Sequence, residues 1–285
     1  MSTVTSEAPA RPGWTALPRR RAVRPVPALL RPRTALSRRT RWVLATVSIV
    51  APLAAWWAVA ASGVVEPAQY LPTPLDTWDA LVAMARSGQL GTDVWATLSR
   101  VLVGFGAAIA VSVPLGILIG TFRSAQSLFE PLIGLLRYLP ASAFIPLLLI
   151  WLGLGEQPKM TLIFIATVFF NTLMTADVVR QVPISLIDVS YTLGARVGEV
   201  VRKVIIPHSL PGIIDAIRVN AAAAVSYVVV AELVAAETGL GYRIIRFQRF
   251  AQVDQIFAVL VVIALIGVTI DITLRITRDV VGRWT

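Results

Sequence analysis

The sequence predicts an all-α integral membrane protein with about six transmembrane helices. The chain of 285 residues is 56% apolar and only 15% charged, whereas soluble domains carry about 25% charged residues. Its mean hydropathy is +0.74. The apolar residues also fall into blocks of about 20, the length that crosses roughly 30 Å of hydrocarbon. These charges are too few to cover a water-soluble surface.

Apolar blocks between charged residues predict the individual spans. They cover residues 42–62, 98–122, 131–153, 160–179, 210–235 and 256–277. Two short amphipathic segments between spans have the character of interfacial helices. One follows Leu71-Pro72-Thr73-Pro74, and the other carries Arg243, Arg246 and Arg249 at every third position.

The N-terminal segment sets the predicted orientation. Most of the formal charge of +10 lies in residues 1–41, where ten arginines precede the first apolar block. Basic residues flanking a first span favour the cytoplasmic side, which predicts cytoplasmic termini at both ends and no nucleic-acid partner. The segment is rich in Pro and Arg and lacks a helical period, so we expect a disordered tail over 1–41 and a membrane domain over 42–283.

The residue inventory excludes several kinds of chemistry. The chain has no cysteine and one histidine, so disulfides and a conventional zinc or iron site lack ligands, and we expect no metal and no cofactor. It contains no G-x-x-x-x-G-K-[ST] phosphate loop, H-E-x-x-H or G-x-S-x-G motif. The sequence therefore predicts that the chain is not an enzyme.

The loop between the fourth and fifth predicted spans, about 183–209, is patterned. It predicts two short helices over 184–193 and 196–204, separated by Gly194 as a left-handed helix stop. Valines spaced at i, i+3, i+4 and i+7 share one face of the second helix, and Pro207 is expected to end it. These valines are Val197, Val200, Val201 and Val204.

The same loop resembles the cytoplasmic signature of bacterial ABC importer permeases. In that signature three residues separate Glu-Ala-Ala from a Gly, and nine more residues separate the Gly from an aliphatic, any residue, an aliphatic and Pro. Asp188 takes the Glu position, Gly194 is the glycine, and Val204, Ile206 and Pro207 close the pattern. Val189 and Ser190 replace the two alanines.

The resemblance implies a type I ABC importer permease architecture in the bacterial inner membrane. It implies two separate ATPase subunits, a second permease copy as a homodimer, and an extracytoplasmic solute-binding protein. Stretches such as Leu136-Arg137-Tyr138-Leu139-Pro140 and Gly239-Leu240-Gly241-Tyr242 look most like permeases for nitrate, taurine and alkanesulfonates. The expected ATPase contacts are Asp188, Val189, Ser190, Leu193, Gly194, Ala195 and Pro207.

Polar residues within spans supply candidates for the translocation path or its gate, since intramembrane charges need a stated partner or function. For Arg137 the alternatives are anion attraction, snorkelling to headgroups, or pairing with Glu130. For the neutral residues the alternative is core packing. For Glu232, as for Arg100, the alternative is a structural role. An ion-driven secondary transporter remains the alternative function. The candidates are Arg137, Tyr138, Pro140, Asn171, Ser226 and Glu232.

Overall fold

Helices form all the regular structure in residues 36–64 and 70–283, the part of the chain that the computed structural model describes. A 3₁₀ turn, Ala141–Phe144, precedes the fifth α-helix, and a π-helical turn, Val201–Ile205, joins the eighth to the ninth. The α-helices are α1 Arg38–Ala61, α2 Pro74–Arg86, α3 Gln89–Thr121, α4 Arg123–Leu136, α5 Ile145–Leu152, α6 Gln157–Arg180, α7 Ile184–Thr192, α8 Val197–Val200, α9 Ile206–Ala235, α10 Leu240–Arg249 and α11 Val253–Val281.

The chain divides into two compact units, Met1–Ala54 and Ala55–Thr285. The described part of the first unit, residues 36–54, holds the beginning of α1, an apolar helix without a buried residue. Most of the predicted tail, 1–41, lies outside the described residues, so its disorder stays a prediction. All the contacts discussed below lie within the second unit.

Five helical segments are long and apolar enough to cross a membrane, and a bent pair makes a sixth if it is one span. The five contain α1, α3, α6, α9 and α11. The pair consists of α4 and the segment Ala141–Leu152, which meet at 79°. The predicted straight third span, 131–153, is therefore broken. Pro140 provides the physical reason, because it lacks a backbone N–H and disfavours helical geometry in the residue before it.

The most extensive helix pairing joins α3 to α6, and glycines allow it. A Cβ added to Gly104 would lie 2.6 Å from the carbonyl oxygen of Met160, and one added to Gly116 would lie 2.7 Å from that of Thr172. Such distances leave no room for a side chain, so the two backbones touch directly. Gly106 on the same helix meets open space.

A three-helix core lies where α9 packs on the α3–α6 pair. Val101, Phe105, Ile163, Ala224 and Val228 are all buried there, with few polar groups between them. A second cluster joins α2, α10 and the first half of α11 around the buried Leu240, Phe247, Val259 and Val262. Both predicted amphipathic segments are thus helices, and they pack together at one end of the bundle.

Candidate functional site

The first helix of the patterned loop, α7, ends in a hydrogen-bonded stop at Gly194. Gly194 has φ +81°, and its N–H donates to the Tyr191 carbonyl at 2.9 Å while the Ala195 N–H donates to the Ser190 carbonyl at 3.0 Å. This pair of bonds is the Schellman arrangement, which needs a left-handed residue at Gly194. The loop therefore turns at a fixed angle after one short helix.

The surface of α7 is apolar and exposed. Leu193 is 82% and Val189 is 58% exposed, and Asp188 also faces outward beside Val189. Ile184, Leu186 and Tyr191 of the same helix are exposed as well. Exposed apolar side chains on a short, rigidly ended helix are typical of a docking surface for another protein.

The second short helix packs inward. Val200 and Ile205 are buried with Val179, Val182 and Ile213, residues that belong to α6, α9 and the turn between α6 and α7. Val201 and Val204 pack against this cluster, whereas Val197 is half exposed and does not belong to it. Three of the four valines predicted to share a face thus brace the loop against the spans.

Pro207 does not end the second helix, which corrects the prediction. The helical chain runs from α8 through the π turn into α9, and Pro207 lies in the first turn of α9. A proline in a regular α-helix clashes with the carbonyl four residues earlier, here that of Lys203. The wider π turn lies at this place, so the chain passes the proline without a break.

Arg137 lies at the break between α4 and the 3₁₀ turn, on the wall of a cavity of about 300 Å³. Its Nη2 donates to the Tyr138 hydroxyl at 3.1 Å, and its Nε is buried without a hydrogen-bond partner in the described structure. The proposed pair with Glu130 is absent, since Glu130 pairs with Arg180 at 3.1 Å. The cavity is lined by Leu136, Arg137, Tyr138, Leu139, Pro140, Ala141, Phe144, Ile165, Ala166, Phe169, Phe170 and Tyr227.

Two of the candidate pathway residues lie elsewhere. Asn171 is fully buried between α3, α6 and α9, where its amide donates to the Ser112 hydroxyl at 2.6 Å and its oxygen accepts from Asn220 at 3.3 Å. The Ser226 side chain is exposed and donates to the Ala222 carbonyl of its own helix at 3.0 Å. The bonds of Asn171 tie three helices together, as the packing alternative proposed.

Glu232 is buried in an ion-pair network with Arg100. Nη1 of Arg100 donates to Glu232 Oε1 at 2.7 Å, and Nη2 donates to Glu156 Oε1 at 2.8 Å. The Thr97 hydroxyl and the Gly241 N–H also donate to Glu232, at 2.9 and 2.8 Å. A buried charge is tolerated when its hydrogen-bonding capacity is filled in this way. The network fixes the start of α10 to α3, α9 and the residue before α6.

Asp93 extends this network and was missed by the sequence reasoning. Its buried carboxylate accepts from the Gly239 N–H at 2.9 Å and pairs with Arg243 of α10. Asp93, Thr97 and Arg100 are spaced by four and three residues, which places them on one face of α3. That polar stripe in an apolar helix was the available signal, but the predicted second span began only at residue 98.

Within the described ranges, no group of three or more His, Cys, Asp or Glu side chains could hold a metal ion. The ionic groups that do cluster are carboxylates already bound to arginine or lysine, such as Glu156 with Lys159 at 2.8 Å. The arrangement presents exposed apolar side chains at α7 and a guanidinium on the cavity wall at Arg137. Among the described residues, the lining of the Arg137 cavity includes no Asp, Glu or His side chain.

The helical membrane fold and the signature loop define a permease subunit of the type I ABC importer class. A model of the family described as binding-protein-dependent transport system inner membrane component matches residues 112–285. The chain belongs to that family. Membership sets aside the alternative of an ion-driven secondary transporter.

Individual relatives and a solved structure agree with this assignment. A probable ABC transporter permease protein of Brucella melitensis is 35% identical over 238 residues, which cover 84% of this chain and 95% of the relative. The taurine transport system permease protein of Escherichia coli is 31% identical over 255 residues, with 87% and 91% covered. The inward-facing MetNI methionine ABC transporter matches in fold, with a TM-score of 0.59, 22% identity, and 66% and 94% covered.

Proposed function

We propose that the chain forms half of the translocation pathway of an ATP-driven importer of a small anion. Two copies of the permease meet two ATPase subunits at α7, on the cytoplasmic side. A solute-binding protein delivers the cargo at the opposite end, near α10. Both termini are cytoplasmic, in line with the basic residues before α1, and ATP is hydrolysed on the partner because this chain has no phosphate loop.

The observation that carries the coupling role is the exposed apolar surface of α7 next to a fixed stop. A coupling element must be stiff, so that a push on it moves the spans. Gly194 closes the helix end, and Val200 and Ile205 seat the following segment against α6 and α9. Asp188, Val189, Ser190, Leu193 and Ala195 then form the contact with the ATPase, while Pro207 lies behind it at the start of α9.

A pair of proline substitutions tests this role. Gly194→Pro is incompatible with φ +81° and removes the N–H that bonds to Tyr191, so the helix stop is lost. Gly198→Pro is the matched control, because a proline is tolerated in the first turn of α8 and an added Cβ meets open space at both glycines. We expect Gly194→Pro to abolish uptake and binding-protein-stimulated ATP hydrolysis, with normal membrane insertion, and Gly198→Pro to keep most of both.

The measurement is uptake and ATPase activity of the complete complex in proteoliposomes. Transport at the wild-type rate by Gly194→Pro would contradict the coupling role of this loop. Failure of the wild-type chain to retain an ATPase subunit in mild detergent would contradict the wider assignment of partners.

Arg137 supports an anionic cargo. Its guanidinium lies on a cavity wall made mostly of aromatic and aliphatic groups, and its Nε has no partner among the described residues. In such surroundings an unpaired guanidinium nitrogen attracts an oxyanion. The similarity to a taurine permease favours a sulfonate over nitrate within this class. Tyr138 and Pro140 shape the same wall, whereas Glu232 belongs to the extracytoplasmic network.

Removal of the charge at Arg137 tests whether the cargo is an anion that binds there. Loss of one charge-assisted hydrogen bond is worth about 1.5–3 kcal/mol, so we expect Arg137→Gln to slow taurine uptake by roughly tenfold or more. Arg123→Gln at the other end of α4 removes the same charge at an exposed position and serves as the control. Unchanged rate and affinity in Arg137→Gln, at equal amounts of complex, would rule out a pathway role.

A further inference from the structure

A second polar cavity lies at the opposite end of the bundle from α7. It has a volume of about 420 Å³ and opens between α2, the start of α3, α10 and the start of α11. Its polar lining comes from Ser87, Gln89, Asp93, Arg243, Arg246, Gln252 and Gln255. This cavity is separate from the Arg137 cavity and shares no lining residue with it.

The charges in this cavity do not balance. Asp93 is neutralised by Arg243 and also accepts the Gly239 N–H. Arg246 lines the cavity and has no ion-pair or hydrogen-bond partner in the described structure. One positive charge is therefore left over, among glutamine amides that can donate hydrogen bonds, while the Ser87 hydroxyl already donates to the Met84 carbonyl at 2.8 Å. A guanidinium in such a setting is suited to the planar, two-point binding of a phosphate.

Exposed aromatic side chains near the cavity are of the kind that lies at the depth of lipid headgroups. Trp78 of α2, Trp95 of α3 and Phe250 after α10 are all exposed at this end of the bundle. Trp151 near the end of α5 is exposed as well. It lies close in sequence to the Arg100 network, because Glu156, which pairs with Arg100 of α3, follows it by five residues. Exposed tryptophan side chains are enriched at membrane–water interfaces.

We infer that this cavity binds the phosphate of an anionic phospholipid, with Arg246 as the principal contact. Gln89, Gln252 and Gln255 provide amides for a headgroup hydroxyl, as in phosphatidylglycerol, and Met84 and Phe250 provide apolar contacts at the wall. In the proposed orientation the lipid belongs to the outer leaflet. The assignment itself depends on the membrane fold and not on the transported solute.

Native mass spectrometry of the full-length permease, titrated with phosphatidylglycerol or phosphatidylcholine in detergent, tests the site. We expect Arg246→Gln to weaken phosphatidylglycerol binding by roughly tenfold, the effect of one lost charge-assisted hydrogen bond. Arg249→Gln is the matched control, because Arg249 lies on the same helix and outside the cavity lining. A second variant, Gln89→Glu, keeps Arg246 and puts a negative charge near the phosphate, so it should weaken binding as well.

Four results would overturn the proposal. Equal affinity for the two lipids would exclude an anionic lipid as the ligand of this cavity. Wild-type lipid affinity in both Arg246→Gln and Gln89→Glu would exclude it as well. Displacement of the lipid by millimolar inorganic phosphate would show that the site takes a free anion. If Arg246→Gln kept its lipid and lost stimulation by the binding protein, the cavity would be a protein contact instead.

Discussion

Glu232 holds together the end of the bundle that carries α10, and its removal should cost far more stability than removal of a partly exposed carboxylate. In Glu232→Ala the guanidinium of Arg100, 2% exposed, keeps Glu156 but loses the partner at 2.7 Å. The Gly241 N–H and the Thr97 hydroxyl lose their acceptor in the same variant. Breaking a buried pair from one side costs about 3–5 kcal/mol. Because Arg100 retains Glu156, we expect a loss of about 3 kcal/mol.

The assay is equilibrium unfolding in mixed SDS micelles, followed by the fluorescence of the eight tryptophans. Glu130→Ala is the control, because the Glu130–Arg180 pair at 3.1 Å is partly exposed and such pairs contribute at most about 1 kcal/mol. Glu232→Gln keeps the shape and one acceptor oxygen and should lose less than Glu232→Ala. Equal destabilisation by Glu232→Ala and Glu130→Ala would refute the reasoning that burial sets the strength of this network.

Two further predictions concern packing and capping. Gly116→Ala should destabilise the bundle by about 1–3 kcal/mol, because the added Cβ would lie 2.7 Å from the Thr172 carbonyl oxygen. Gly106→Ala is the control and should be neutral, since its Cβ meets open space. Thermal unfolding of the two variants measures the difference. Thr73→Ala should cost about 1 kcal/mol, because the Thr73 hydroxyl caps α2 and accepts from the Asp76 N–H at 3.2 Å. Hydrogen bonds from Thr73 also hold the pKa of Asp76 below its usual value, so this stabilisation is present at neutral pH and is lost as the pH falls through that lowered pKa. The difference in stability between wild type and Thr73→Ala should therefore shrink in acid, and a constant difference would contradict a contribution from the hydrogen bond that the Thr73 hydroxyl donates to the Asp76 carboxylate.

Features that depend on neighbouring residues could be predicted from the sequence. Span-length apolar blocks, the two amphipathic segments and the helix stop at Gly194 all follow from local hydropathy, period and backbone preference. The structure has each of them, at α2, α10 and the end of α7. The family resemblance also rested on a local motif, and the family comparison confirmed it.

Features that depend on distant residues could not be predicted. Glu130 was considered as a partner for Arg137, yet it pairs with Arg180 of α6, which is 50 residues away in the sequence. The candidate pathway residues were grouped by their polarity within spans. The structure separates Asn171, Ser226 and Glu232 from the Arg137 cavity. Asn171 and Glu232 are bonded where three helices meet, whereas the Ser226 hydroxyl donates within its own helix.

Pro207 shows a limit of a different kind. The sequence rule that proline ends a helix is correct for a regular α-helix, but a π turn at Val201–Ile205 lets the chain continue. That turn is stabilised by the burial of Val200 and Ile205 against α6 and α9. Tertiary packing thus overrides a local rule at this point of the loop.

The continuity of α9 has a mechanical consequence. Its 30 residues make a rod of about 45 Å at 1.5 Å per residue. Pro207 lies at one end, next to the loop that holds α7 and α8. Near the other end, Glu232 accepts a hydrogen bond from the Gly241 N–H at the start of α10. In the proposed importer, a tilt of α9 caused by ATP binding on the cytoplasmic side would therefore move α10 on the opposite side at the same time. The surface that contacts the binding protein would then change position at the same time as the pathway opens.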